Sequence, residues 1–310
     1  MKNNLLADNN HRYGTSLPVN DDCAGPVFSL GYNLVEESLN CALSGTSVGF
    51  ILGQDPKLGP LTSNGGLTKT KAPLTGSPAV NSGEQPSCLD GLGIAIPSDQ
   101  RGVLRPQAGI CDIGAYEVAT RTIARSLAID DGWILELSEN SGTGGTIDSS
   151  ATTMLIGDNA SKKQFLSILS FNSGPLLPDN AIIVSARLRV QFQGTVGSVN
   201  PLTLFKGFMV DIKKGFFGTT KSLQSMDFES IPGITVGPLT PALTGGWYNL
   251  DLTRGKNFIN KLLNNAGLTQ IRLRFQLDDN NDAIANYLSL FCGNAPLTSR
   301  PQLVIEYYIP

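Results

Sequence analysis

The sequence predicts an all-β protein in two parts: a turn-rich region of short strands that closes the end of a solenoid, then an antiparallel jelly-roll-type β-sandwich. Three observations carry this. Charged residues make up only 16% of the 310 residues while Gly is 34 and Pro 18, so turns are frequent and long charged helices scarce. Residues 1–118 break their apolar runs with dense turn signals. From Asp130 onward, apolar and polar residues alternate at period two.

In residues 1–118 the turn signals are "LPVNDDCAGP", "DPKLGP", "SNGG", "TGSP" and "SGEQPS". No helical period survives more than one turn there, and no strand run exceeds about five residues. Such a stretch cannot make a sandwich by itself, but short stacked strands with long loops can close a solenoid. Residues 119–128, "ATRTIARSLA", read as a connector. Residues 129–310 hold the alternating segments "GWILELSE", "SARLRVQFQG", "FMVDIKK", "GWYNLDL", "QIRLRFQLD", "YLSLFCG" and "QLVIEYY", the pattern of a sandwich. Trp133 shares a face with Leu135 and Leu137 and reads as core. "GKNFINKLLNNAG" is the exception: Phe258, Leu262 and Ala266 share a helical face and Gly267 can cap it, so a short helix is expected across one mouth of the sandwich.

Five cysteines occur, with no C-x-x-C pair. Cys23 with Cys41 and Cys88 with Cys111 is the expected local pairing, which places the chain in an oxidising, extracellular or cell-surface setting. The second bridge is worth about 3 kcal/mol in the chain-entropy model. Cys292 alternates with Leu288 and Leu290 and should pack as a small hydrophobe. "MKNNLLADNNHRYG" lacks the apolar core of a signal peptide, so the chain is expected to be a fragment of a longer secreted protein. No stretch of eighteen apolar residues exists, so no membrane span is expected.

A net charge of −3 and a pI near 5.3 offer no field for nucleic acid or an anionic membrane. The single histidine, His11, cannot supply a multi-histidine metal site, and any Ser-His-Asp arrangement would depend on it alone. The acid pairs Asp21-Asp22, Glu36-Glu37 and Asp130-Asp131 are adjacent, so on a strand they point to opposite faces and cannot flank one glycosidic bond. No enzyme activity and no cofactor is expected, apart from a structural Ca2+ discussed below.

"GYNLVEESLNC", then "GQDPKLGPLTSNGGLTKTKAPLTGSPAVNSG", then "DQRGVLRPQAGICDIGAYE" resemble the choice-of-anchor Q region, the C-terminal end of secreted bacterial right-handed parallel β-helix proteins. The resemblance covers roughly residues 30–118; it departs at "TKTKAPLTGSPAVNSG", where the family usually has a histidine before the alanine and an acid after Pro-Ala. It implies a truncated β-helix terminus with long loops, in which "NNLLADNN" resembles one rung with stacking Asn side chains and apolar residues facing the bore. The open end of such a helix would leave unpaired backbone groups for self-association. "DQRGVLRPQAGICDIGAYE" then reads as a seam, with Asp99, Arg101, Arg105 and Asp112 satisfying loop backbone and each other. "TTMLIGDNASKKQFLSILSFNSGPLLPDNAIIVSARLRVQFQG", "GWYNLDLT", "IRLRFQLDDNND" and "SRPQLVIEYY" are similar to the carbohydrate-binding-module-like sandwiches known as DNRLRE domains, which implies a non-catalytic surface module.

Three constellations could bind a ligand. "ARLRVQFQ" and "IRLRFQLD" each alternate, so if they share a sheet, Arg187, Arg189, Gln191, Arg272, Arg274 and Gln276 line one face, where guanidinium forks suit the carboxylates of an acidic polysaccharide. The alternative is a solvated face with those arginines paired to Glu136, Asp211 or Asp251. Trp247, Asn249 and Asp251 share a face and have the composition of a sugar-stacking platform, although a Trp near a strand start also serves as a core plug. Asp278, Asp279, Asn280 and Asp282 are clustered oxygen ligands that suit Ca2+, without EF-hand spacing; an ordinary Asp/Asn turn is the competing reading. The function expected is structural or adhesive, with polysaccharide as partner. The rivals are the targeting part of a polysaccharide-degrading enzyme whose catalytic coils lie elsewhere, and a subunit of an extracellular filament or surface layer.

Overall fold

The computed structural model describes residues 1–11, 19–85, 88–107 and 109–309, and the side chain of His11 lies outside the described residues. Strands dominate, and the chain divides into two compact units, Met1–Thr120 with Tyr308 and Ile309, and Arg121–Tyr307.

In the first unit the strands are β1 (Leu5–Leu6), β2 (Asn10–His11), β3 (Val19–Asn20), β4 (Gly25–Leu30), β5 (Leu34–Val35), β6 (Cys41–Thr46) and β7 (Ile51–Leu52). Two parallel stacks form: β1, β5 and β7 with Leu5, Leu34 and Ile51 in register, and β4 with β6 from Gly25 opposite Cys41 to Leu30 opposite Thr46. Leu5, Leu34 and Ile51 pack with Ala79 and Ile113 into a small core. Asn33, just before β5, is fully buried; its Oδ1 accepts from the Asn4 N–H at 3.0 Å and its Nδ2 donates to the Met1 carbonyl at 3.1 Å, tying the chain before β5 to the chain before β1. Gly45 sits at φ +91° where β6 crosses β4, and a side-chain carbon there would lie 2.2 Å from the Ser29 carbonyl oxygen, so only glycine fits. The region after β7 is loop stapled by isolated bridges such as Leu58 to Pro73 and Ser98 to Leu104. Both expected disulfides, Cys23–Cys41 and Cys88–Cys111, are present.

The second unit contains β8 (Thr120–Arg125), β9 (Gly132–Glu136), β10 (Gly144–Asp148), β11 (Thr153–Asp158), β12 (Gln164–Asn172), β13 (Ile182–Val196), the short helix α1 (Pro201–Leu204), β14 (Phe208–Lys214), β15 (Ile234–Leu239), β16 (Trp247–Asp251), β17 (Leu268–Phe275), β18 (Asn286–Phe291) and β19 (Gln302–Tyr308). They form a large, curled antiparallel sheet in the order β15-β14-β17-β12-β11-β18-β13-β19-β8, with β16 on β13 and β9 on β12 and β10. The curl follows from the alternation: Leu188 and Val190 of β13, Val210 and Ile212 of β14, Ile271 and Leu273 of β17, and Leu288 and Leu290 of β18 all turn to one core. Cys292 is fully buried in that core, as its spacing predicts.

A second, smaller core lies on the opposite face of β12. There Leu166 and Ile168 meet Ile134 of β9 and Phe217, Leu223 and Phe228 from the excursion at 215–233. Gln164 through Phe171 are therefore buried on both faces. This excursion is fastened by β17: the Gln270 amide accepts from the Phe217 N–H at 2.7 Å and donates to the Lys221 carbonyl at 2.7 Å.

Three expectations are corrected. Residues 119–128 are not a free connector. β8 is a strand of the sheet, because Thr120 and Thr122 favour extended backbone and Ala124 packs into the main core at 2% exposure. The segment 255–267 forms no helix. It has a 3-10 turn at Thr253–Phe258, extended Ile259, and a second turn at Asn265–Gly267 in which Ala266 has φ 57°. Tertiary partners take its backbone instead, since Asn260 N–H donates to Thr269 Oγ1 and Ser173 Oγ donates to the Asn260 carbonyl. Trp133 belongs to the half-exposed face of β9, edge-on to Phe165 at 5.3 Å, and Ile134 is the core residue.

Candidate functional site

Alternation in the layer β16-β13-β19-β8 puts one set of side chains in the main core and leaves the other on an open face. β13 pairs with β16 through its first half, with Arg187 opposite Asp251, Arg189 opposite Asn249 and Gln191 opposite Trp247. After an irregularity between Phe192 and Gly194 it pairs with β18. The open face thus carries Trp247, Asn249 and Asp251 from β16, Arg187, Arg189 and Gln191 from β13, Gln302 and Glu306 from β19, and Arg121 and Arg125 from β8.

Arg189 organises its centre. Its guanidinium lies 4.8 Å from the centroid of the Trp247 ring, Nε donates to Asn249 Oδ1 at 3.1 Å, and Nη1 donates to Gln302 Oε1 at 2.9 Å. These contacts fix a planar cation on an indole and leave donor positions unused. Hydrogen bonds from the Thr253 hydroxyl and N–H, with a smaller pull from Arg187, hold the Asp251 carboxyl below the usual carboxylate range. At the other edge Ser185 Oγ donates to Glu306 Oε2 at 2.7 Å. The face sets amide, guanidinium and aromatic groups side by side.

The second arginine strand is placed elsewhere. β17 is separated from β13 by β12, β11 and β18, so no face with four arginines forms. Arg272 is buried under the 215–233 excursion: Nε and Nη2 meet Asp211 Oδ2, each at 2.8 Å, and Nη1 donates to the carbonyls of Asp227, Phe228 and Ser230. Arg274 Nε reaches the same Asp211 oxygen at 3.2 Å. Burial pushes the Asp211 carboxyl up, but Arg272, the Thr235 hydroxyl and Arg274 outweigh it and the net direction is down. The pairing to Asp211 weighed from the sequence therefore holds for Arg272 and Arg274. Gln276 lies exposed beyond the end of β17.

The Asp/Asn cluster is arranged as turns. Asp279 Oδ1 accepts from Asn281 N–H, Asp282 Oδ1 from Ile284 N–H, and Asn280 Nδ2 donates to Asp282 Oδ2. Asp278 Oδ1 accepts from Asp279 N–H. Among the described residues no group of three or more His, Cys, Asp or Glu side chains is placed to hold a metal ion. At least one oxygen of each side chain is turned onto a backbone or amide group of its own loop.

"DQRGVLRPQAGICDIGAYE" is a closed network. Arg101 pairs with Asp99 at 2.6 Å and Arg105 with Glu117 at 2.8 Å, all nearly buried. Asp112 accepts from Asn81 and Val118 N–H groups, and Glu117 from Gln107 and Asp112 N–H groups. Asp99, Arg101, Arg105 and Asp112 satisfy loop backbone and neighbouring charges, as expected from the sequence.

Buried carboxyls give the protein a pH dependence. Burial raises Asp112, Asp158 and Asp227 to about 6 and Asp131 to about 8. A carboxyl with a raised folded pKa is protonated in the folded chain while the unfolded chain has ionised, so stability is full below the unfolded value and falls as pH rises toward the folded one. Asp211, Asp148 and Asp251 are lowered and act oppositely, losing stability as pH falls below the ordinary carboxylate range. The melting temperature in scanning calorimetry is therefore expected to fall from pH 5 to pH 8. A flat or rising profile over that span contradicts it.

Gln302, Glu306, Arg121 and Arg125 complete the face without having been singled out from the sequence. The first two stand on alternate positions of "QLVIEYY", a legible signal; the others lay in the presumed connector. No helix among the described residues is long and apolar enough to cross a membrane. No protein-family model matches the chain, and no curated protein matches it.

Proposed function

We propose that the chain is a non-catalytic extracellular surface module, structural or adhesive, whose sheet face β16-β13-β19-β8 binds an acidic polysaccharide. The observation that carries this is Arg189, its guanidinium carbon 4.8 Å from the Trp247 ring centroid and braced by Asn249 and Gln302, with the exposed Arg187 on the same face. A sugar ring stacks on an indole, and guanidinium groups bond carboxylates bidentately, so the platform matches a uronate-type polymer. Weak contacts repeated along a polymer give useful avidity without a deep pocket.

Two further inferences complete the reading. The first unit is the end of a right-handed parallel β-helix of the choice-of-anchor Q type, supported by its two parallel stacks and the buried Asn33 that ties the chain before β5 to the chain before β1. The second is a jelly-roll carbohydrate-binding-module-like sandwich, supported by its curled antiparallel sheet around one core. The two disulfides support an extracellular location.

Affinity electrophoresis against polygalacturonate and neutral dextran tests the binding. Wild type is expected to be retarded by polygalacturonate only, and Arg187→Ser with Arg189→Ser and Trp247→Ala to weaken retardation at least about tenfold, the scale of a lost charge-assisted contact. No retardation of wild type by any acidic glycan, or equal retardation of a folded variant, ends the proposal.

A further inference from the structure

Beyond that face, the structure assigns a second site: we propose that a cavity lined by Lys214, Lys256 and Lys261 binds a monosaccharide-sized ligand through a carboxylate or sulfate group. The cavity holds about 420 Å³ and draws on chain segments far apart in sequence. Lys214 ends β14, Lys256 and Asn257 stand in the 3-10 turn at Thr253–Phe258, Lys261 follows that turn, and Ile182 and Ile259 supply an apolar wall.

The charge arrangement is what singles it out. No acidic residue lines the cavity, and among the described residues none of the three lysines forms an ion pair. Two are held there by neutral groups: Lys261 Nζ donates to the Ala181 carbonyl at 2.6 Å and Lys256 Nζ to the Val184 carbonyl at 3.3 Å. Each of these ammonium groups keeps two further donors. Three cations gathered in one concavity repel one another, and the chain as a whole is acidic at −3, so this cluster is not a sample of a generally basic surface. An oxyanion relieves the repulsion and takes up the remaining donors. The volume lies in the range of small-molecule sites, and the isoleucine wall can cover the apolar face of a sugar ring while the lysines hold its charged substituent.

The site stands whether or not the sheet face binds a polymer, so its test uses small probes on the full chain. Isothermal titration with galacturonate, galactose 6-sulfate, galactose and inorganic sulfate is expected to show binding of the two acidic sugars, at least about tenfold weaker binding of galactose, and loss of the difference in 0.5 M NaCl. The tighter of the two acidic sugars identifies carboxylate or sulfate as the group selected. Lys214→Gln, which removes a charge without removing any carbonyl contact named above, should weaken the acidic sugars at least about fivefold, and K214Q/K256Q/K261Q should abolish binding. K57Q/K69Q/K163Q, with the same net charge change outside the cavity, should bind as wild type. Equal affinity for galactose, unchanged affinity of K214Q, or equal loss in K57Q/K69Q/K163Q overturns the proposal. Binding of inorganic sulfate as tight as galactose 6-sulfate overturns the sugar assignment.

Discussion

Arg272→Ala is expected to destabilise the Arg121–Tyr307 unit by about 3–5 kcal/mol, the cost of breaking one side of a buried ion pair. Arg272 is 6% exposed and Asp211 fully buried. Removing the guanidinium leaves the Asp211 carboxylate with Arg274 and Thr235 alone, and strands three carbonyls, of Asp227, Phe228 and Ser230. The 215–233 excursion then loses a fastening, and Phe217, whose ring lies 4.9 Å from the guanidinium carbon, loses its neighbour. Urea denaturation should show the drop as a shifted midpoint, and calorimetry as a fall of about 10 °C, at the few degrees per kcal/mol usual for a unit of this size. A cost under about 1 kcal/mol, the value of a surface pair, would show that solvent reaches the bridge. Arg272→Met with Asp211→Leu should recover part of the loss, because matched apolar replacements remove both the cation and the stranded carboxylate. Arg187→Ala, on the open face, should cost within about 0.5 kcal/mol.

Phe208→Ala is expected to cost about 3–5 kcal/mol through a different cause, a cavity in a close-packed core. Phe208, Phe275 and Phe205 are each at most 1% exposed and stack in series, with ring centroids 5.3 Å and 5.4 Å apart and planes within 28°. Tyr248 meets Phe208 edge-on at 5.5 Å. Deleting Phe208, the end of this stack, removes its face contact with Phe275 and its edge contact with Tyr248, and so the packing of β14 against β17 and β16, which cannot all close the gap. Phe208→Leu should cost about half as much, because it refills part of the volume. If both substitutions prove neutral by urea denaturation, the main core does not run through this stack.

The sequence made the second unit legible strand by strand. In "SARLRVQFQG", "GWYNLDL" and "YLSLFCG" the period of two separated the most buried side chains from the less buried ones, because an antiparallel strand with one open face must alternate; in "QLVIEYY" Gln302 through Ile305 are all buried. Cysteine spacing gave both disulfides for a similarly local reason, since each pair lies within a short loop. More than half of the candidate face, Arg187, Arg189, Gln191, Trp247, Asn249 and Asp251, was visible in this way.

Only the tertiary structure decided what covers each face. "ARLRVQFQ" and "IRLRFQLD" are nearly the same text, yet one presents its arginines to solvent and the other buries Arg272 at 6% exposure, because the 215–233 excursion folds over β17 and not over β13. The helical pattern of "GKNFINKLLNNAG" yielded to a hydrogen bond donated by Ser173 and one accepted by Thr269, residues outside the segment. Of the three lysines of the cavity, Lys256 and Lys261 lie in one segment, but Lys214 is about forty residues away on β14, so the set forms no local motif. Period and spacing are properties of neighbours along the chain and can be read there. Burial of a polar side chain depends on which distant segment lies over it, and that is fixed only when the sheet has curled and its loops have settled on its faces.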